Sequence, residues 1–315
     1  MTDRTVAVLA GGLSHERDVS LRSGRRLSTA LRETGLHVEE WDVDANLVDR
    51  LTGNRPDAVV VALHGGVGEN GAVQSVLEML RVPYVGTDAH ACRRAWDKPT
   101  AKAELARAGL TTPDWIALPH STFRDLGARA VLDALVAHLA LPLILKPDQG
   151  GSALGVQVVR DLEDLPAAMV GCLAYGDTVL AEKYIEGVEV AVAVLDGPGG
   201  PRALPAVEIE AQSGFYDYAA RYTAGLATFH APARLDDAAA AAVADLALGA
   251  HRLLGLRDLS RTDAVVAPDG TAHFLEVNVA PGLTETSLLP MAIESDGADL
   301  GTVFAELIER AVARD

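Results

Sequence analysis

The sequence predicts an α/β protein of three lobes, with a doubly wound parallel sheet in the N-terminal lobe. Three observations carry this. An unbroken apolar run, Thr5–Ala10, meets Gly11-Gly12 and then a helical pattern, the opening of a β–loop–α unit whose strand is buried on both faces. A second such unit starts with the apolar run at 57–63 and breaks at His64-Gly65-Gly66. Near the C-terminus, two apolar runs flank Pro268-Asp269-Gly270 and read instead as an antiparallel hairpin. The lobes are expected at residues 1–88, 89–181 and 182–315.

Bulk composition narrows the function. With 315 residues the chain can bury a large core, and 49% hydrophobic with 23% charged residues is ordinary for a soluble protein. A formal net charge of −17 argues against nucleic-acid partners, which need a basic face. It leaves small anionic substrates open, because a few local Lys and Arg outweigh a screened distant field. Cys92 and Cys172 match no zinc spacing and read as buried thiols of a reduced protein. No apolar run reaches membrane-spanning length, and the N-terminus lacks a signal-peptide pattern. A cytoplasmic protein without a membrane partner is expected.

In chain order, the first strand leads to a helix carrying Leu21, Leu27 and Leu31 and stopped at Gly35. Glu16, Arg17 and Ser20 stand at its start; alone, Glu16 is an acid favoured by the helix dipole. The dinucleotide fingerprint G-x-G-x-x-G is absent. HVEEWDVD gives a second strand and residues 57–63 a third. His64 follows in a loop at the carboxyl edge of the parallel sheet, where open α/β folds bind ligands. Residues 92–109 read as one helix, on which a lone Lys98 would be solvated.

Residues 141–159 form strand, Lys146, a turn with Gly150, Gly151 and Gly155, and a second strand. The glycines let backbone N–H groups approach phosphate, and Ser152 adds a hydroxyl. No GK[ST] or helix follows, so this is a hairpin flap rather than a Walker loop. Residues 178–195 read as strand. A polar loop rich in tyrosine, at 212–235, has the length and composition of a lid. A helix ends at Gly255, and another spans about 300–313.

The hairpin carries the chemistry. Glu276 and Asn278 share one face of its second strand, and pairing across the turn brings Asp263 to them. Two carboxylates and an amide oxygen, without sulfur or imidazole, suit Mg²⁺ with nucleotide phosphates as further ligands. Arg261 would aim at a transferring phosphate. Read alone, an acid-x-Asn at a strand end is equally a solvated edge or a turn cap. The Ala280-Pro281-Gly282 bend that follows presents backbone N–H groups suited to an oxyanion.

Taken together, these stretches resemble the ATP-grasp carboxylate–amine ligases, most nearly the D-alanine–D-alanine ligases, over nearly the whole chain. The motifs are GGLSHERDVS, HGGVGENG with PYVG, WDK, the glycine flap, EKYI, FYDYAARY and EVNVAPG. The resemblance implies an ATP-grasp fold and an enzyme joining two D-alanines through an acylphosphate, with release of ADP and phosphate, for peptidoglycan precursors. It implies that Glu16 binds the first D-alanine's ammonium, that His64 binds substrate and that Ser287 holds the second carboxylate. Glu16, Ser152 and Tyr222 would form a hydrogen-bonded network closing the lid. Lys98, Lys146 and Arg221 would meet phosphates; Lys183, Tyr184 and Ile185 would meet adenine, Glu189 the ribose, and Glu182 would belong to the same ATP site. Arg261 and the Gly282 N–H would hold the tetrahedral oxyanion. Asp263, Glu276 and Asn278 would hold two Mg²⁺ ions, with Mn²⁺ able to substitute.

Some positions depart from the family pattern. Arg221 stands for a lysine, keeping charge but not geometry, and Asp148, Gln149 and Ala153 replace residues often basic or hydroxylic. A homodimer through the first lobe is a family expectation. The alternatives are a ligase of the same fold for other D-amino acids, and a non-catalytic nucleotide-binding regulator.

Overall fold

The computed structural model describes residues 4–212, 214–217, 220–221, 223 and 225–314. Three sheets organise them. The first is parallel, in the order β2 (His37–Asp42), β1 (Thr5–Ala10), β3 (Ala58–Val61), β4 (Tyr84–Val85). The apolar run of β1 serves two cores at once, because successive side chains point to opposite faces. Ala7 and Leu9 pack with Leu47 and Leu51 of α2 (Leu47–Gly53) and with Val73 and Leu77 of α3 (Ala72–Met79). Val6 and Val8 pack with Leu27 and Leu31 of α1 (Arg17–Glu33). Helix α1 lies close on β1 because Gly24 faces it; a Cβ there would sit 2.6 Å from the Cβ of Ala10.

The second sheet is antiparallel, in the order β5 (Trp115–Pro119), β8 (Thr178–Lys183), β6 (Leu143–Pro147), β7 (Gln157–Val159). Helices α7 (Ala128–Leu139) and α8 (Leu165–Leu173) bury Leu132, Leu135, Leu139, Ala168 and Met169 against it. Strand β5, the short α6 (His120–Leu126), α7 and α8 are not anticipated from the sequence.

In the third sheet, β12 (Ala227–His230), β11 (Val207–Ala211), β9 (Val188–Gly197), β13 (Leu259–Val266) and β14 (Ala272–Asn278) follow one another, with β10 (Gly200–Ala203) also on β9. On one face lie α4 (Ala89–Trp96), α5 (Lys98–Arg107) and α9 (Asp237–Leu253). On the other lie α10 (Leu288–Ser295) and α11 (Leu300–Arg314). Helix α11 also packs on α1, β3 and β4, so the end of the chain completes the core of its beginning.

Two expectations are corrected. Residues 92–109 are not one helix: α4 ends and α5 begins around Asp97. Asp97 is extended and its side chain accepts the Thr100 N–H at 2.8 Å, while Pro99 sits in the first turn, where no donor is needed. The stretch 212–235 is not loop throughout, since it contains β12, which pairs antiparallel with β11.

Candidate active site

The hairpin pairs Asp263 with Glu276 and Arg261 with Asn278, and a bulge follows Asp263. Directly opposed residues share a face, so the two acids stand side by side. Arg261 grips Asp263 through both nitrogens, Nε to Oδ1 at 2.7 Å and Nη2 to Oδ2 at 2.8 Å. The guanidinium is held charged: burial opposes it, but Asp263 and then Glu276 outweigh that cost. Lys98 Nζ lies 3.5 Å from Glu276 Oε2. Burial works against the Glu276 carboxylate too, yet Lys98, Lys146, Arg221 and Arg261 hold its pKa at about 2. This acid is ionised at any working pH.

Between the second and third sheets lies a cavity of about 340 Å³. Lys98, Lys146, Glu182, Lys183, Tyr184, Ile185, Glu189 and Arg221 all line it, together with Asp263 and Glu276. Sheet topology explains the gathering: β6 and β8 deliver Lys146 and Glu182 from one side, and β9, β13 and β14 deliver Glu189, Asp263 and Glu276 from the other. Lys98 comes from the start of α5, where its N–H donates to Asp148 O at 3.0 Å and its Nζ donates to Gly150 O at 2.8 Å. It thereby touches the glycine flap and the hairpin acids at once. Burial pushes the Glu189 carboxyl up to about 7, with Asp263 and Glu276 adding repulsion against the pull of Arg221.

A second cavity of about 90 Å³ is lined by Glu16, His64, Ser152, Arg261, Asn278, Gly282 and Ser287. These residues span most of the chain. Tyr216 and Arg221 line both cavities, and the Arg221 guanidinium stacks 4.4 Å from the Tyr216 ring centroid, so the two spaces adjoin. Ser152 donates a hydrogen bond to Glu16 Oε1, joining the flap to the first lobe. Tyr222, the third member of that expected network, lies outside the described residues.

His64 spends both ring nitrogens on protein. Nδ1 lies 3.0 Å from Ala280 O, which fixes the proton there, and Nε2 lies 2.8 Å from Ser23 Oγ. Ser23 Oγ in turn accepts the Leu283 N–H at 3.1 Å. The histidine thus clamps the 280–283 bend onto the first lobe. Ser287 Oγ accepts the Thr284 N–H at 3.0 Å and meets Thr284 Oγ1 at 2.8 Å. A Cβ on Gly282 would stand 2.7 Å from Ser287 Oγ, so any larger residue there would have to displace the Ser287 hydroxyl.

The donor set suits Mg²⁺. It is all oxygen; Lys98 and Arg261 each stand beside one of its carboxylates, whose remaining lone pairs are what a metal would use. Asn278 differs in lining the smaller cavity and in using Oδ1 to accept the Ala280 N–H at 2.8 Å, which leaves that oxygen a second lone pair. Among the described residues a further cluster, Glu208, Glu210 and His230, has its two carboxylates on the larger cavity, where Arg234 bridges them.

Three site residues escaped the sequence reading. Lys102 is fully buried with its Nζ 2.7 Å from Glu182 Oε1. Glu69 lines the smaller cavity and accepts the Gly65 N–H at 2.9 Å; burial and then Glu16 push its carboxyl up to about 8. Tyr216 joins the two cavities. Glu69 stands in the HGGVGENG motif, which is the signal that points to it.

Comparison with known proteins gives this geometry a family. The family described as D-ala D-ala ligase C-terminus matches residues 105–309, and D-ala D-ala ligase N-terminus matches residues 39–87. A protein named D-alanine–D-alanine ligase from Anaeromyxobacter sp. (strain Fw109-5) is 43% identical over 309 residues, covering 98% of this chain and 96% of that one. The crystal structure of a D-alanine–D-alanine ligase from Bacillus anthracis complexed with ATP matches with a TM-score of 0.81 and 28% identity, covering 99% of this chain and 98% of that one. VanG D-Ala:D-Ser ligase from Enterococcus faecalis matches with a TM-score of 0.84 and 26% identity, covering 98% of this chain and 100% of that one. With both family matches in register and relatives aligned almost end to end, the chain belongs to the D-alanine–D-alanine ligase family of ATP-grasp enzymes.

Proposed function

We propose that the chain joins two molecules of D-alanine at the expense of ATP, supplying D-alanyl-D-alanine for peptidoglycan precursors. One observation carries this reading. A cleft of nucleotide size and a small polar pocket meet at Arg221 and Tyr216, with the hairpin acids beside them. The γ-phosphoryl group passes to the first D-alanine's carboxylate, giving an acylphosphate and ADP. The second D-alanine's amine then attacks the acyl carbon, and phosphate leaves.

The chain's work is positioning and charge neutralisation. Lys98, Lys146 and Arg221 face the phosphates. Lys183, Tyr184 and Ile185 surround adenine, Glu182 supports the same site, and Glu189 takes the ribose hydroxyls. Asp263, Glu276 and Asn278 would hold Mg²⁺, two ions in all, which supply further neutralisation of phosphate oxygens. Glu16 takes the first substrate's ammonium, and Ser152 ties the flap to it, excluding water that would hydrolyse the acylphosphate. Ser287 takes the second carboxylate, while Arg261 and the Gly282 N–H meet the oxyanion. His64 lines the substrate pocket and holds the bend that carries Gly282. The lid sequence with Tyr222 favours an amine over a hydroxy acid as nucleophile. The reading includes a cytoplasmic homodimer; among the described residues no helix is long and apolar enough to cross a membrane.

The likeness to VanG, whose name specifies D-serine, makes D-serine the competing second substrate. Phosphate release is therefore to be measured with ATP and D-alanine alone, and with D-serine or D-lactate added, and the products weighed by mass spectrometry. D-alanyl-D-alanine as the main product is expected. ADP formation indifferent to D-alanine would sink the reading. Glu276→Gln is expected to lower turnover at least ~100-fold; near-normal turnover would remove that acid from the metal site.

A further inference from the structure

Lys102 is among the largest side chains to lie fully buried in the described molecule, and it does not reach the cleft. Its Nζ stands 2.7 Å from Glu182 Oε1, donates to Thr112 Oγ1 at 2.5 Å and to Phe274 O at 3.2 Å, and lies 5.8 Å from the Phe274 ring centroid. On the other side of the same carboxylate, Glu182 Oε2 is 2.9 Å from Lys146 Nζ. One buried carboxylate is thus shared by two ammonium groups, one behind the cleft wall and one inside the cleft. The side chains of Lys102, Glu182 and Lys146 are 0%, 2% and 8% exposed.

The charge count is the informative feature. Two cations share this one carboxylate, and Glu276 on β14 is the next anion facing them. Packing alone does not account for Lys102, because an apolar side chain would fill such a site without the cost of burying an ammonium. Without Lys102, Glu182 and Lys146 would form a closed neutral pair. Lys146 could then reach a phosphate only by leaving a buried carboxylate without a counterion. With Lys102 in place, Glu182 stays compensated when Lys146 turns away. Lys102 also bonds the carbonyl of Phe274 on β14, so the carboxylate of the second sheet is held against the third.

We propose that Lys102 is a positioning residue of the nucleotide site, holding Glu182 from behind the cleft wall so that Lys146 is free to meet nucleotide phosphate. The inference rests on reading the larger cavity as the nucleotide cleft. Calorimetric titration of the full chain with Mg²⁺ and ADP tests it, with adenosine, which has no phosphate, in competition. Lys102→Met weakens ADP binding about tenfold and leaves adenosine within about twofold, and Lys102→Arg restores ADP to within about threefold. Equal losses for ADP and adenosine would reduce Lys102 to a structural role, and no loss of either would also overturn the proposal. If Lys102→Met does not fold, the cycle through Glu182→Gln decides. With that carboxylate neutral Lys102 has nothing to hold, so adding Lys102→Met to Glu182→Gln costs less than about threefold in ADP affinity. A further tenfold loss there overturns the proposal. Failure of the unmutated chain to bind ADP at all would instead sink the nucleotide reading beneath it.

Discussion

Burying an imidazole between a carbonyl and a hydroxyl decides its charge, and His64 shows the consequence. Burial lowers its pKa to about 4, with Arg261 adding to the effect and the Ala280 carbonyl opposing it. In the unfolded chain the same group titrates near 6.5. Between those values the unfolded state binds the extra proton, so stability falls as pH falls. The sign is that of a depressed folded-state pKa: the contribution is whole above about pH 6.5 and is lost as pH drops toward 4. At pH 5 the loss from this group is about 2 kcal/mol relative to pH 7. Denaturant unfolding of the wild type and His64→Gln at both pH values checks it. The wild type should lose that much more than the variant; parallel losses would show that His64 is not buried neutral. At this scale the sequence was informative where a motif surrounds the residue. His64 sits between a buried strand and two glycines, a place that marks the carboxyl edge of the sheet, and the structure sets it on the wall of the smaller cavity. Lys102 carries no such mark, because its importance comes from Glu182 and Phe274, which approach only after two sheets have formed.

The elements differ in how far local chemistry determines them. The hairpin of β13 and β14 was legible from its Pro-Asp-Gly turn, but the register at the turn, Val266 against Ala272, would carry Asp263 to Leu275; the bulge after Asp263, which the sequence does not mark, brings it opposite Glu276. The break between α4 and α5 was not legible, because the helical periodicity runs through it and only the cap at Asp97 interrupts it. That cap matters to function. Asp97 fixes the first turn of α5, and the same turn aims Lys98 at Gly150 O and Glu276. Asp97→Ala should therefore cost about 1 kcal/mol of stability. It should also raise the KM for ATP several-fold, with kcat nearly retained. A stability loss with unchanged KM would separate the cap from the placement of Lys98. Residues 115–139 were opaque for a different reason. Strand β5 is only partly buried on every residue before its exposed end, and α6 buries none of its side chains, so neither leaves a clear apolar period.

At the scale of the whole molecule, the chain closes on itself. Helix α11 buries Leu300, Phe304, Leu307 and Ile308 among residues of the first and third sheets, and its last turn makes the joint polar as well as apolar. Arg314 donates from Nη1 to Asp258 Oδ1 at 2.5 Å and from Nη2 to Asp258 Oδ2 at 2.8 Å. Its Nη2 also donates to Tyr84 O at 3.0 Å, at the end of the first sheet. Asp258 has no exposed surface, and its Oδ2 accepts the Gly86 N–H at 2.8 Å. This carboxylate therefore sits where the first sheet, the start of β13 and the last helix meet, with Arg314 as its ion-pair partner. Removing that arginine leaves a buried charge without a counterion. Arg314→Met should cost about 3 kcal/mol or more, beyond what the half-exposed arginine could contribute by packing. Adding Asp258→Asn removes the stranded charge, so the double variant should be more stable than Arg314→Met alone. Thermal and denaturant unfolding of the three proteins decides the matter. The outcome bears on catalysis too, because the first lobe carries Glu16 and His64 while the hairpin carries the acids. If the joint holds the lobes in register, Arg314→Met should raise the KM for D-alanine more than that for ATP, whose cleft lies between the other two sheets. Equal effects on both substrates would mean the joint supplies stability without setting the geometry of the substrate pocket.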